Sequence, residues 1–160
     1  MLLCVTDGVY IVPAITINHT YMEYKRLVLF GVYLWAAIFI IFALFLFNPL
    51  TGDSVVAQHI GLWALLIPTV LLLSKWYFRK TDATIMNGLL LGLTGIAIGI
   101  ILDFCITIPL FLSQDSGYVA GVTALYGNWM LYVGFAEVLF LTMFAGWEFD
   151  TTFTLPKDKK

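Results

Sequence analysis

The sequence predicts an all-α fold: a polytopic membrane protein built as a four-transmembrane-helix antiparallel bundle with both termini cytoplasmic. Three observations carry this. Of 160 residues, 61% are hydrophobic and only 11% charged, whereas a soluble domain carries roughly 25% charged residues and needs them for its surface. The mean hydropathy of +0.96 falls into four apolar stretches, each long enough to cross a hydrocarbon layer of ~30 Å. Every basic residue, finally, lies on one side of the arrangement these stretches define.

The stretches are 27–47, 54–74, 84–112 and 123–147. The first ends at Asn48 and Pro49, where proline cannot continue a helix, and Gly52 frees the following turn. Short links, "KWYFRKTD" after the second span and "SQDSGYVAG" after the third, lead us to expect consecutive helices to pack as antiparallel neighbours. Lys25 and Arg26 precede the first span, Lys75, Arg79 and Lys80 fall between the second and third, and Lys157, Lys159 and Lys160 follow the fourth. The opposite loops hold Asp53 and Asp115. The positive-inside rule then puts both termini in the cytoplasm and the chain in the inner membrane of a bacterium, with Trp76, Tyr77, Trp147, Tyr118 and Tyr126 placed as interfacial aromatics.

The chain therefore divides into an N-terminal cytoplasmic segment (1–24), a transmembrane domain (25–150) and a basic C-terminal tail (151–160). The N-terminal segment lacks a basic n-region and contains Asp7 and Pro13, which makes it a poor signal peptide. It is either an amphipathic or extended piece on the cytoplasmic face or an extension ahead of a natural start at Met22. The expected partners are the lipid bilayer and either further copies of the chain or a larger membrane complex; no nucleic-acid partner is expected.

Inside the apolar run "GLLLGLTGIAIGIILDFCITIPLF" stands Asp103, and in the fourth span stands Glu137. An aspartate at the centre of a membrane helix costs roughly 2.5 to 3.5 kcal/mol on insertion scales, so it is expected to face protein. Gly88, Gly92, Gly95 and Gly99 share a helical stripe that Asp103 continues, and such small residues let a neighbouring helix approach closely. Gly134 flanks Glu137, and Tyr126 lies on the face of Glu137. At 1.5 Å per residue Asp103 lies about 14 Å and Glu137 about 21 Å from the outer ends of their spans, at neighbouring depths. His59 is a third polar group, in the second span. No Lys or Arg within a span neutralises the two acids.

Two readings of this set stand. Asp103, Glu137, His59 and Tyr126 form a ligand- or ion-binding site, or the acids are packing groups that hydrogen-bond to Tyr126, Tyr132, Asn128 or backbone carbonyls. Pro109 should free the carbonyl of Cys105, and Pro68 that of Ala64. Asp103, Glu137 and His59 together would make a three-ligand metal set. No nucleophile, base and oxyanion constellation is visible, so catalysis is not expected. Cys4 and Cys105 form no C-x-x-C motif, and His19 is the only other histidine, so no cofactor is expected.

"ILDFCITIPLF" followed by "NWMLYVGFAEVLF" resembles a family of small four-helix bacterial membrane proteins of unknown function. That family has an Asp ahead of Pro-Leu-Phe in its third span, then an aromatic, a Gly and a Glu in its fourth. The matching positions are Asp103, Pro109, Leu110, Phe111, Trp129, Gly134 and Glu137. The resemblance covers the C-terminal third and implies that the acidic pair belongs to a shared design. The expected function is binding or transport of a proton, cation or small ligand through the buried acids. The alternative is a non-catalytic accessory subunit of a larger membrane complex.

Overall fold

The computed structural model describes residues 15–48, 54–113 and 117–153, and among them every regular element is helical. Residues 1–14, 49–53, 114–116 and 154–160 lie outside the described residues, and with them the expected turn at Gly52, both Asp53 and Asp115, and the basic tail. The helices are α1 (Ile15–Leu46), α2 (Val55–Phe78), α3 (Ile85–Leu102), α4 (Tyr118–Tyr126) and α5 (Trp129–Phe153), with a π-helical segment, Asp103–Leu112, continuing α3. Four stretches are long and apolar enough to cross a membrane: Tyr24–Phe45, Val55–Phe78, Ile85–Leu112 and Trp129–Phe149.

Local chemistry sets the helix starts. Ser54 caps α2 by accepting from the Ala57 N–H at 3.3 Å, and Thr84 caps α3 by accepting from Asn87 at 3.1 Å. The expected fourth span beginning at 123 is interrupted at Gly127 and Asn128. The Gly127 N–H closes α4 on the Thr123 carbonyl at 2.8 Å, and the Asn128 side chain opens α5 by accepting from Met130 at 3.0 Å. A glycine and a capping asparagine in sequence outweigh the apolar run around them. The crossing helix is thus Trp129–Phe149, and α4 is a separate helix laid against the π-helical segment.

The long helices form a ring in the order α1, α2, α5, α3, each touching the next. The expectation that consecutive helices are neighbours holds for the first and second spans and for the third and fourth, and fails for the second and third. α2 and α3 face each other across a diagonal, with α3 seated between α5 and α1. The glycines of α3 explain the seat. A Cβ on Gly88 would collide with the Thr142 carbonyl oxygen, and one on Gly92 with the Thr142 hydroxyl, both on α5. One on Gly95 would press on Phe30 of α1 at 3.0 Å. Backbone approach this close maximises dispersion contact, which is what holds helices together when the surrounding medium is as apolar as leucine. Phe30, Leu34, Leu66, Val70, Leu91 and Val138 fill the centre and are at most 2% exposed. At the basic end Arg26 lies 5.5 Å from the centre of the Trp76 ring, which Tyr33 meets edge-on.

Candidate functional site

Asp103 sits where α3 turns into the π-helical segment, and its own N–H is shared between the carbonyls of Gly99 and Ile100. Three neutral donors from three elements converge on its carboxyl group. The Trp35 indole N–H of α1 donates to Oδ1 at 2.9 Å, the Thr107 hydroxyl donates to the same oxygen at 2.7 Å, and the Tyr126 hydroxyl of α4 reaches Oδ2 at 3.4 Å. Trp35 is held by stacking on Phe39 at 5.7 Å, and Tyr126 by stacking on Phe104 at 5.4 Å. Burial, and after it the neighbouring Asp103 carboxylate, push the Tyr126 phenol above its ordinary range, so Tyr126 is a standing donor. A carboxylate offers about four acceptor positions. Oδ1 therefore has both of its positions filled, whereas Oδ2 has one long contact and room for another donor.

Asp103 belongs to the wall of a cavity. The space has a volume of about 160 Å³ and lies among all four long helices and α4. Gly99 borders it, and a Cβ added there would meet no atom within 4 Å. Gly99 therefore departs from its stripe: Gly88, Gly92 and Gly95 bring helices together, while Gly99 leaves space open beside Asp103. Gly134 borders the same cavity from α5, with the Trp63 indole nitrogen 3.7 Å from where its Cβ would stand. That nitrogen is buried and has no hydrogen-bond partner among the described residues.

The π-helical register alters the expectation for Pro109. In an i to i+5 pattern the acceptor that proline leaves free is the carbonyl of Phe104, not that of Cys105. The Tyr118 hydroxyl donates to the Phe104 carbonyl at 3.2 Å, while Ser113 completes the π pattern by donating to Ile108 at 3.0 Å. Tyr118 and Tyr126 both belong to α4, whose Gly121 lies against Ile108 and Leu112, where a Cβ would come within 3.2 Å of each. Helix α4 thus satisfies the proline-freed carbonyl with one tyrosine and the Asp103 carboxyl with another.

Of the expected site residues, the structure unites Asp103 and Tyr126. Glu137 is half-buried on α5, does not line the cavity although its neighbour Val138 does, and has no hydrogen bond or ion pair among the described residues. His59 is buried at the end of the bundle away from the basic cluster. It meets the Val55 carbonyl through Nδ1 at 2.7 Å and the Asn128 side-chain amide through Nε2 at 3.4 Å. Tyr132 donates to the Tyr126 carbonyl at 2.9 Å and so supports the site from behind. Among the described residues no three of His, Cys, Asp and Glu come together as metal ligands, so the Asp103, Glu137 and His59 set is not assembled.

Trp35 and Thr107 are the partners that sequence reasoning missed. Thr107 had a readable signal, since it lies four residues beyond Asp103 and such pairs meet on a helix. Trp35 had none, being one aromatic among many in an apolar span. No family model matches the chain, and no curated protein or solved structure is significantly similar to it.

Proposed function

We propose that the chain is a multi-pass protein of the bacterial inner membrane that binds, and in doing so can move, a small ligand in the space beside Asp103. Cytoplasmic termini follow from the basic clusters and the positive-inside rule. The observation that carries the ligand reading is the carboxyl of Asp103, set by three neutral donors into the wall of an apolar cavity with no basic side chain paired to it among the described residues. An ionisable group so placed in a membrane helix marks a functional site. A packing role alone would fill the space around the carboxyl, whereas Gly99 keeps it open.

Native mass spectrometry of the protein released from lipid tests this. We expect a small molecule that stays with the unaltered chain and is lost from Gly99→Leu, whose side chain fills the cavity. Both proteins at the masses of their own sequences, with no adduct on either, would overturn the reading.

Glu137 favours a second reading, an accessory subunit of a larger membrane assembly or a homo-oligomer. It is a half-buried acid without a hydrogen bond among the described residues, on a helix whose Val133 and Phe140 are exposed. A partner helix bringing a donor would satisfy it. Extraction in mild detergent as a bare monomer would remove this alternative.

A further inference from the structure

We infer that the ligand of the Asp103 site is an organic amine: a protonated primary or secondary ammonium group on a compact apolar body. This inference rests on the ligand reading above and narrows it. Its first support is the inventory of polar atoms facing the cavity. Among the lining residues the polar side chains are Trp35, Asp103 and Thr107, and both the indole N–H and the threonine hydroxyl are already committed to Oδ1. A ligand entering the space meets no free donor on the lining residues and finds its acceptors at the Asp103 carboxyl, where Oδ2 has room, and at the Thr107 hydroxyl oxygen. The Trp63 indole N–H, without a partner among the described residues, lies beside Gly134 and is not part of the lining. Anions and carbonyl-rich molecules therefore find no donor on the lining, and a molecule with a donor finds its acceptor at the Asp103 carboxyl.

The second support is what the remaining wall excludes. A bare Ca²⁺ or Mg²⁺ needs about six oxygen ligands, and one carboxyl in an apolar cavity supplies two at most. Away from the Asp103 carboxyl water gains little, because a cavity of about 150 Å³ lined by Leu, Ile and Phe alone stays dry and takes up benzene instead. The space here, about 160 Å³, is of that size. The occupant is thus about as large as a single substituted benzene ring.

The third support selects ammonium among donors. Trp35, Phe39, Phe42 and Phe135 border the cavity, with Trp35 and Phe39 stacked 5.7 Å apart. Aromatic faces attract organic cations, most strongly where water is excluded. Among the described residues no lysine or arginine pairs with the carboxyl. An ammonium group supplies that charge and the missing donor to Oδ2, while its hydrocarbon body replaces empty space. A neutral alcohol would satisfy Oδ2 but gain nothing from the rings or the charge.

The test uses the full chain in lipid nanodiscs, with fluorine NMR of 4-fluorobenzylamine, 4-fluorobenzyl alcohol, 4-fluorotoluene and 4-fluorobenzoate as probes. Gly99→Leu discs serve as the blank for partition into lipid. We expect the amine to bind the unaltered chain at least tenfold more tightly than toluene or the alcohol, and benzoate not to bind. Asp103→Asn should weaken the amine at least tenfold and leave toluene within about twofold. The ratio of amine to toluene in the unaltered chain stands even where Asp103→Asn fails to fold. Amine and toluene binding equally well would overturn the ammonium assignment and leave the ligand site intact. Absence of binding by all four probes would overturn the site itself.

Discussion

Asn128 holds two helices in register by using both ends of its amide: Oδ1 accepts from the Met130 N–H at the start of α5, and Nδ2 faces Nε2 of His59 on α2 at 3.4 Å. The cap fixes which way the amide points, and that in turn fixes the imidazole. With a donor facing Nε2 and the Val55 carbonyl facing Nδ1 at 2.7 Å, His59 must carry its proton on Nδ1. Nitrogen-15 NMR of the imidazole should show that tautomer in the unaltered protein and a mixture in Asn128→Ala. The same substitution should cost about 1 kcal/mol of stability through the lost cap, measured by reversible unfolding in mixed micelles. A single unchanged tautomer in the variant would show that Asn128 does not orient His59.

Pro109 and Tyr118 form a second coupled pair, joined by the Phe104 carbonyl that the proline leaves free and the tyrosine hydroxyl satisfies at 3.2 Å. Tyr118→Phe should destabilise the chain by about 0.6 kcal/mol, the average for side-chain hydrogen bonds in a membrane protein, and by no more than about 1.7 kcal/mol. In a Pro109→Ala background the restored N–H can serve that carbonyl, and Tyr118→Phe should then cost almost nothing. Equal costs in both backgrounds would separate the two residues.

The glycines of α3 should divide sharply under substitution. Gly88→Ala drives a Cβ into the Thr142 carbonyl oxygen of α5 and should cost about 1 to 3 kcal/mol by overpacking. Gly99→Ala meets no atom within 4 Å, and alanine is the better helix former by roughly 0.5 to 1 kcal/mol, so this change should stabilise the protein. Opposite signs for two glycines of one stripe is the expected outcome, read from unfolding midpoints.

That difference also marks what the sequence could tell. The apolar stretches were legible because spanning a membrane depends on composition and length, and Asp103 was legible because a charge interrupts one of them. Which glycine touches a neighbour was not, since the 3.6-residue period assigns a face without saying what lies opposite. The diagonal placement of α2 and α3 depends on the fit of Gly88 and Gly92 to Thr142, a relation between residues 54 and 50 positions apart. The break at Gly127 and Asn128 carried an ordinary turn signal, but the hydropathy on either side ran through it. Trp35 became a site residue only through the packing of α1 against α3, and Glu137 moved off the site when α5 was seen to present Gly134 and Val138 to the cavity instead.

Alkaline pH gives the last test, through Tyr126. Its phenol is pushed above the ordinary value of about 10 by burial first and by the Asp103 carboxylate second, since both penalise the phenolate. Below that pH the phenol is protonated in the folded and the unfolded chain alike, and the contribution to stability is constant. Above it the unfolded chain releases the proton while the folded chain retains it, so stability falls as pH rises. The unaltered protein should therefore lose melting temperature above about pH 10 more steeply than Tyr126→Phe, which has no proton to release at this position. Tyr126→Phe should start lower at neutral pH, because Asp103 loses the one donor to Oδ2 among the described residues. Two curves that stay parallel through the alkaline range would show that Tyr126 does not face the carboxyl in the folded protein.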